Sequence, residues 1–375
     1  MLTVLRNADV FAPEPLGRCD LLIGGERILL VGPSLPALPA GVASDVDLAG
    51  RTVIPGLIDA HVHVTGGGGE AGPASRVAPL QRSSLALAGV TSCVGVLGTD
   101  GTTRTVASLV ARTLGLRAEG LSAWCYTGSY ELPLQTLTGS VRKDIVFVDP
   151  IVGVGELAIS DHRSSQPTLD ELLRVASDAH VAGMMSNKAG LVHLHLGDGE
   201  RGLDLVKKAL DGSELPARVF HPTHVNRRRR LFEEALELAV RGVTVDVTAF
   251  PPGPPDDPGL SAADAILAFI DRHGGTGRLT CSSDGGGCLP TFDRDGRLVS
   301  MDVGRASTLL ETIVELVGRG RHLGEVLPPF TSNVAALFRF ARKGRLVAGA
   351  DADLVVLDAR LGVSDVMARG AWIRS

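Results

Sequence analysis

The chain has 375 residues, of which 44% are hydrophobic and 21% charged, and its formal net charge is −5. This composition is typical of a globular protein with one large domain, or one large and one small domain, and it excludes a disordered chain. The mildly acidic balance argues against a protein that coats nucleic acid or an anionic membrane.

Short strands and turns are predicted at both ends of the chain. Asp20–Val31 has the pattern of a hairpin, and Leu346–Leu357 and Val363–Ile373 alternate short apolar runs with Gly and Asp. Neither end is large enough to form a stable core alone. We therefore expect residues 1–52 and 343–375 to meet and form one small β-domain.

The middle of the chain, residues 53–342, alternates β-rich runs with amphipathic helical stretches. The predicted strands are Val53–Ala60, Val90–Leu97, Leu121–Thr127, Ile151–Ile159, Leu191–Leu196, Arg218–Val225, Val243–Phe250 and Arg278–Ser283. The predicted helices are Thr105–Leu116, Leu169–Val181, Leu231–Arg241, Ala262–Arg272 and Ala306–Val317. This alternation indicates an α/β fold of the (β/α)8 TIM-like barrel type, with a doubly wound sheet as the alternative.

Two histidines, His61 and His63, directly follow the apolar run Val53–Ala60. Positions i and i+2 of an extended strand point to the same side, so both imidazoles can reach one metal ion. The alternative interpretation is a pair of solvated loop histidines. The distinctive string PGLIDAHVH, which contains both residues, favours the metal site.

Further metal-competent side chains lie at the ends of later predicted strands. Glu156 interrupts the apolar segment IVGVGELAI, where an ionised carboxylate is costly unless a cation or a donor meets it. The other three are His195, His224 and Asp284. In a barrel these strand ends converge on one face, and four imidazoles with two carboxylates suit Zn²⁺ or a similar divalent ion. A carboxylate on the middle strand can bridge two ions about 3.5–4 Å apart.

Two other histidines lie close to this predicted cluster in the sequence. His221 competes with His224, because either residue can cap its strand. His193 shares a barrel face with His195 but lies one step deeper, and we interpret it as a packing residue.

These residues match a known family. The chain resembles the amidohydrolase superfamily and, within it, the bacterial isoaspartyl dipeptidases (β-aspartyl peptidases). The superfamily features are HVH on strand one, single histidines that end strands five and six, an aspartate that ends strand eight, and GADADL near the C-terminus. The narrower resemblance rests on the strings HVHVTGGGGEAGP, GVLGTDG, TGSY, ISDHRS, PTHVNR and SSDG, which span most of the chain in order.

The resemblance implies a metal-dependent hydrolase barrel flanked by a small β-sandwich built from both chain ends. It implies that a metal-activated hydroxide cleaves the isopeptide bond of β-aspartyl dipeptides. The zinc ligands that it implies are His61, His63, His195, His224 and Asp284, and Asp284 is also the proton shuttle. The implied substrate-binding residues are Gly68, Gly69, Glu70, Thr99, Tyr130, Arg163, Arg227 and Cys288.

The resemblance also gives roles to some of the substrate-binding residues. Tyr130 resembles the tyrosine that polarises the scissile carbonyl, and Glu70 matches the glutamate that receives the free α-amino group. Arg163 and Arg227 match arginines that hold substrate carboxylates. One acidic and two guanidinium partners complement the charges of a zwitterionic dipeptide.

Two positions depart from the family pattern. Glu156 stands where many members bridge two metals with a carboxylated lysine, so we expect a glutamate bridge between two divalent ions, with Zn²⁺ the expected metal. Cys288 stands where a serine is expected, and a thiol is a weaker donor for a substrate carboxylate. The segment Pro251–Pro258 has no role that the sequence assigns.

Alternative functions remain open at this point. One is a related amidohydrolase that acts on a cyclic amide or an N-acyl amino acid, and another is a barrel that has lost turnover and acts as a binding scaffold. The 5 scattered cysteines, with no CxxC pair, indicate a cytoplasmic protein. We expect a small dipeptide substrate, no nucleic-acid or membrane partner and, from the family resemblance, a homo-oligomer.

Overall fold

The structure is a computed structural model that describes residues 2–39, 41–250, 259–292 and 297–374, so the segment 251–258 lies outside the described residues. The described strands are, in chain order, β1 (Leu2–Phe11), β2 (Pro15–Gly24), β3 (Arg27–Gly32), β4 (Ala43–Asp47), β5 (Thr52–Pro55), β6 (Leu57–Val62), β7 (Val90–Gly95), β8 (Ser122–Thr127), β9 (Ile151–Ile159), β10 (Leu191–Leu196), β11 (Phe220–Thr223), β12 (Val245–Thr248), β13 (Leu279–Ser282), β14 (Cys288–Phe292), β15 (Leu298–Val303), β16 (Leu354–Leu357), β17 (Val363–Ala368) and β18 (Ala371–Arg374). The described α-helices are α1 (Arg82–Leu87), α2 (Val106–Ala118), α3 (Val141–Phe147), α4 (Leu169–Ser186), α5 (Asp204–Asp211), α6 (Arg229–Val240), α7 (Ala262–His273), α8 (Thr308–Gly318), α9 (Leu323–Val326) and α10 (Ser332–Phe338).

Both ends of the chain contribute to one eight-stranded sheet, which we call the terminal sheet. Its strand order is β18-β17-β16-β5-β1-β2-β3, and β4 pairs with β1 beside β5. Buried side chains of its strands, among them Leu5, Val10, Leu21 and Val356, form a core of their own. The two ends therefore meet as predicted, but hydrogen bonds join their strands into a single sheet and not into the two sheets of a β-sandwich.

Six parallel strands, β6 to β11, form a second sheet in sequence order, which we call the half-barrel. Strands β12 and β13 form a separate parallel pair. Two isolated backbone hydrogen bonds connect this pair to the half-barrel. Val225 N donates to Asp246 O (3.3 Å), and His63 N donates to Gly285 O (2.8 Å). The alternation of eight strands with helices agrees with the prediction, although the continuous hydrogen-bonded sheet among the described residues includes six of them.

The apolar run 53–60, predicted as one strand, is divided between the two sheets. Strand β5 lies in the middle of the terminal sheet, between β1 and β16, whereas β6 is the first strand of the half-barrel. Gly56 alone separates them, and a Cβ atom at this position would lie 2.2 Å from Thr91 Oγ1. A one-residue link therefore joins the terminal sheet to the strand that carries His61.

Helices pack on the half-barrel through their apolar faces, as Leu109 of α2, Leu172 of α4 and Phe232 of α6 show. Helix α4 begins at a capping box, in which the Thr168 side chain accepts from Glu171 N and the Glu171 carboxylate accepts from Thr168 N (2.8 Å). It continues beyond its predicted end and stops where Asn187 takes a left-handed conformation (φ 55°). None of the helices in the described ranges combines the length and the hydropathy that a bilayer span requires.

A buried lysine, Lys343, connects the region before β16 to the half-barrel. Its Nζ atom lies 2.8 Å from Asp351 Oδ2, contacts the carboxylate of Asp353, and donates to Ser122 Oγ (2.6 Å) at the start of β8. We expect Lys343→Met to lower the free energy of unfolding by about 3–5 kcal/mol, because it leaves the buried carboxylate of Asp353 without its cation. Chemical denaturation of this variant checks the value. The exposed Lys208→Met is the control, and an equal loss in both variants would contradict the role of Lys343.

Candidate metal centre and active site

Six potential metal ligands meet at the C-terminal ends of the strands that the sequence identified. They belong to β6, β9 and β10 or lie within two residues of the ends of β6, β11 and β13, and all six are buried. The six are His61, His63, Glu156, His195, His224 and Asp284. The structure therefore brings together side chains that are separated by up to 223 positions in the chain (284 − 61).

Glu156 lies between two groups of these ligands. Its Oε1 atom is 3.4 Å from Nε2 of both His61 and His63. Its Oε2 atom is 3.1 Å from His195 Nδ1 and 3.6 Å from His224 Nε2. Asp284 Oδ1 lies on the first side, 3.4 Å from His61 Nε2 and 3.1 Å from His63 Nε2. The two oxygens of one carboxylate thus face two different ligand sets.

Three ligand atoms of this cluster are buried and have no hydrogen-bond partner among the described residues. They are Glu156 Oε1, Asp284 Oδ1 and His224 Nε2. Unpaired polar atoms are costly in a protein interior, and a cation can satisfy all three. Imidazole nitrogens and carboxylate oxygens in this number suit a divalent ion such as Zn²⁺. The residues present therefore fit a divalent metal.

The charges of the cluster also favour a cation. Burial alone would raise the pKa of Glu156 and of Asp284, but the surrounding histidines hold the pKa of each carboxyl well below its ordinary value. Burial lowers the pKa of His224 to about 3, so its ring is neutral at physiological pH. The two ionised carboxylates and the neutral His224 are in the protonation states that metal ligation requires. Burial alone would lower the pKa of His61, but Glu156 and Asp284 raise it well above its ordinary value, so a metal ion would displace a proton from this ring.

Local backbone geometry positions two of the ligands. His224 and Asp284 both have left-handed backbone conformations, with φ of 61° and 52°. Asp59 anchors the neighbouring strand end, since it accepts from the backbone N–H groups of His61 (3.3 Å) and Ser283 (3.2 Å). Burial raises the pKa of Asp59 to about 7. Left-handed backbone conformations such as those of His224 and Asp284 concentrate, in non-glycine residues, at functional sites.

Asp161 is a functional residue that the sequence interpretation missed. Its Oδ2 atom accepts from His195 Nε2 (3.0 Å) and from Arg163 Nη2 (2.8 Å). Burial alone would raise the pKa of Asp161, but these two partners hold it well below its usual range. A carboxylate behind a ligating histidine fixes the orientation of the ring, and here it leaves Nδ1 facing Glu156. Its position directly before His162 and Arg163, just beyond a buried strand, was the available sequence signal.

Tyr130 lies against the same histidine. Its hydroxyl is 2.8 Å from His195 Nδ1, and the guanidinium of Arg163 lies 5.5 Å from the centre of its ring. Burial raises the pKa of Tyr130 well above its ordinary value, so the phenol keeps its proton. Tyr130 is therefore available as a hydrogen-bond donor at the edge of the metal cluster.

A cleft opens above the cluster and contains most of the residues that the resemblance implied. The predicted substrate-binding residues that line it are Gly68, Glu70, Thr99, Tyr130, Arg163, Arg227 and Cys288. Gly69 lies in a neighbouring depression that shares Glu70 and Thr99 with this cleft. Inside the cleft, Glu70 Oε1 accepts from Thr99 Oγ1 (3.0 Å) and lies 3.5 Å from Arg163 Nη1. The cleft therefore presents a negatively charged carboxylate and a positively charged guanidinium next to each other, beside the metal ligands.

The glycine loop that carries Glu70 is held by a buried arginine. Arg104 donates to the carbonyl oxygens of Gly67 (2.7 Å) and Gly68 (3.1 Å) and pairs with Asp100 (3.0 Å). Gly68 has φ of 76°, and a Cβ atom there would lie 2.4 Å from the backbone oxygen of Ser75. Glycine is thus required for conformation and close packing, and Arg104 is a second residue that the sequence interpretation missed.

Cys288 lies in the cleft near Glu70. Burial, together with the negative charge of Glu70, raises the pKa of the Cys288 thiol to about 12, so it stays protonated. The thiol is therefore a neutral, weak donor at this position.

Two further buried histidines, His193 and His221, continue from the ligand His61 through hydrogen bonds. His193 Nε2 is 2.8 Å from His61 Nδ1, and His193 Nδ1 is 2.9 Å from His221 Nδ1. Burial lowers the pKa of His193 well below its ordinary value and that of His221 to about 4. The interpretation of His193 as a packing residue is incomplete, because both of its nitrogens make hydrogen bonds. Of the two candidates on β11 and its end, His224 reaches the ligand cluster and His221 does not.

Comparison with known proteins places this geometry in context. The chain matches the model of the amidohydrolase family over residues 52–373. It is 42% identical to a β-aspartyl dipeptidase from Fervidobacterium islandicum AW-1 that was crystallised in complex with β-Asp-Leu, with a TM-score of 0.95 over 100% of this chain and 96% of that chain. A second structure of a β-aspartyl dipeptidase from the same organism is 40% identical, with a TM-score of 0.91 over 100% and 97% of the two chains.

A more distant similarity covers a short segment. The chain is 36% identical over 61 residues to an allantoinase from Desulfitobacterium hafniense (strain Y51), which is 16% of this chain and 13% of that protein. The chain thus spans about an eighth of this curated relative, and the match carries no information on substrate.

Proposed function

Since this chain belongs to the amidohydrolase family, we propose that it is a metal-dependent hydrolase that cleaves the isopeptide bond of β-aspartyl dipeptides. The observation that carries this proposal is the pairing of Glu70 with Arg163 (3.5 Å) in the cleft beside the metal ligands. The similarity to β-aspartyl dipeptidases along the whole chain supports it.

The ion pair between Glu70 and Arg163 explains why β-aspartyl dipeptides would be preferred over α-aspartyl dipeptides. In a β-aspartyl dipeptide the ammonium and the α-carboxylate sit on one carbon, so Glu70 and Arg163 can bind them side by side. An α-aspartyl dipeptide has its α-carboxyl group in the peptide bond and offers no such pair. Arg227, which also lines the cleft, would hold the carboxylate of the second residue.

We propose that the six clustered ligands would hold two divalent ions, with Zn²⁺ the expected metal, and that Glu156 would be the ligand shared by both ions. When bound, such ions lower the pKa of water to about 7 and polarise a carbonyl. Tyr130 would donate its phenolic hydrogen to the oxygen of the scissile carbonyl, as a preorganised donor. A carboxylate oxygen of Asp284 would accept a proton from the attacking water and deliver it to the nitrogen of the leaving amine.

The family match also supports two inferences about the fold. We infer that β12 and β13 complete an eight-stranded barrel with the half-barrel, which the His63–Gly285 hydrogen bond supports. We infer further that the terminal sheet forms one domain and the barrel the other. The predicted boundary between residues 52 and 53 then moves to Gly56, because β5 (Thr52–Pro55) pairs with β16.

The proposal is tested with β-Asp-Leu and α-Asp-Leu side by side, with the metal content measured on the same sample. We expect cleavage of the β-linked dipeptide at a far higher kcat/KM. Equal or reversed rates would contradict the proposed selectivity. A protein that binds no divalent ion, and that zinc does not activate, would instead support the scaffold interpretation.

Glu70→Gln distinguishes the dipeptidase from a related amidohydrolase that acts on a cyclic amide or an N-acyl amino acid. We expect a loss of about 30-fold or more in kcat/KM for β-Asp-Leu, because truncating one partner of a buried charge pair costs about 2–5 kcal/mol. N-succinyl-Leu, which is β-Asp-Leu without its ammonium group, should be hydrolysed equally by the variant and the parent. The exposed Glu200→Gln is the control. Equal losses with both substrates would show that Glu70 does not recognise the amine.

A further inference from the structure

A chain of buried hydrogen bonds runs from the metal ligand His61 to the carboxylate of Asp246 on β12. It passes through His193 and His221, then from His221 Nε2 to Thr280 Oγ1 (3.0 Å) and from Thr280 Oγ1 to Asp246 Oδ1 (2.6 Å). All five side chains are fully buried. We call these five residues, from His61 to Asp246, the histidine relay.

The donor and the acceptor of each hydrogen bond in the relay can be assigned by starting from the carboxylate of Asp246. Asp246 accepts from the hydroxyls of Thr280, Thr223 and Ser282. Because Thr280 gives its single hydroxyl hydrogen to this carboxylate, its oxygen must accept from His221. His221 therefore carries its hydrogen on Nε2.

The same logic continues through the two imidazoles toward the metal ligands. A neutral His221 with hydrogen on Nε2 has a bare Nδ1, which accepts from His193 Nδ1–H. His193 then has a bare Nε2, which accepts from His61 Nδ1–H. A neutral His61 is then left with a bare Nε2, the atom that faces Glu156 and Asp284 at 3.4 Å.

We propose that His193, His221 and Thr280 are positioning residues, which hold His61 in the tautomer that binds metal. If the relay ran in the opposite direction, His61 would carry a hydrogen on Nε2 and could not act as a ligand through that atom. This inference rests on the metal centre of the proposed function but not on the proposed substrate. A ligating histidine usually has its second nitrogen fixed by a carboxylate, carbonyl or water, whereas here two histidines and a threonine transmit that constraint from Asp246.

The sharpest test uses Thr280, which is remote from the ligand cluster. Thr280→Val keeps the shape of the side chain but removes the hydroxyl that accepts from His221, whereas Thr280→Ser keeps the hydroxyl. The measurements are Zn²⁺ affinity of the metal-free protein, by competition with a chromophoric chelator, and the histidine tautomers, by ¹⁵N NMR of histidine-labelled protein. We expect Thr280→Val to bind the first Zn²⁺ about 10-fold more weakly and to lose the Nδ1–H signal of His61, and Thr280→Ser to retain both.

A second pair of variants acts directly on the ring next to His61. We expect His193→Phe to weaken Zn²⁺ binding by about 10- to 100-fold and His193→Gln, whose amide oxygen can accept from His61, to restore most of the affinity. If His193→Phe does not fold, the Thr280 pair decides the question alone.

The possible results separate this inference from the proposed function. Parental Zn²⁺ affinity and tautomers in folded Thr280→Val would overturn the relay and leave the metal centre intact. A parental protein that binds no Zn²⁺ would overturn both. Neither measurement depends on which dipeptide, if any, the protein hydrolyses.

Discussion

Asp284→Asn is expected to lower kcat for β-Asp-Leu by about 10²- to 10⁴-fold, the range that a positioned proton-transfer group contributes. The carboxamide keeps an oxygen that can face the cluster but cannot accept a proton. Asparagine also tolerates the left-handed backbone conformation found at this position (φ 52°), so the variant should keep its fold. The loss should therefore reflect proton transfer, and kcat measured with metal content on the same sample checks it.

The control for this prediction is Asp211→Asn, an exposed carboxylate on α5 that pairs with Arg241. It should leave kcat unchanged. A near-parental kcat in Asp284→Asn, with the full complement of metal, would refute the role of Asp284 as proton shuttle. A loss that tracks a fall in bound metal would assign Asp284 to ligation alone.

Glu156 should make the metal centre independent of bicarbonate. Its two oxygens already face the two ligand sets, so no carbon dioxide is needed to build a bridging carboxylate. Metal-free protein reconstituted with Zn²⁺ should regain equal activity with and without bicarbonate. A strict bicarbonate requirement would contradict the proposed glutamate bridge.

Replacing Glu156 should then weaken metal binding. We expect Glu156→Gln to retain fewer than two ions per chain and to bind Zn²⁺ at least about 10²-fold more weakly, since an amide oxygen carries no charge and even indirect partners of a site contribute 10- to 100-fold. Glu156→Asp, which keeps the carboxylate on a shorter stem, is the matched comparison and should lose less. Metal content by elemental analysis distinguishes the two variants.

The sequence predicted the alternation of strands and helices well, because that pattern depends on local periodicity. The bounds of β9 and β10 agree with the predicted strands Ile151–Ile159 and Leu191–Leu196. The division of the run 53–60 was missed, because both halves are apolar and Gly56 is the single break. Which sheet each half joins depends on pairing with β1 and β16, which lie far away in the sequence.

The ligand cluster could be anticipated because its members share a position, the end of a strand, and a chemistry. Of the residues that support it, Asp161 also lies just beyond a strand end, whereas Arg104 lies in a loop. Asp161 acts through contacts with His195 and Arg163, and Arg104 acts through the carbonyls of a glycine loop. Such roles depend on which groups meet in space, and a single sequence contains no pattern that specifies them.

The one-residue link at Gly56 should make the stability of the two chain ends depend on a metal bound at the cluster. Strand β5 is held on both sides by strands from opposite ends of the polypeptide, and β6 leads directly to His61 and His63. An ion that binds only the folded state raises the free energy of unfolding of every segment that must be ordered for the site to form. Above Kd, this increase grows with the logarithm of the ion concentration. Zinc would thus protect strands that it never touches, and a chelator would make the N- and C-terminal strands exchange their amide hydrogens faster.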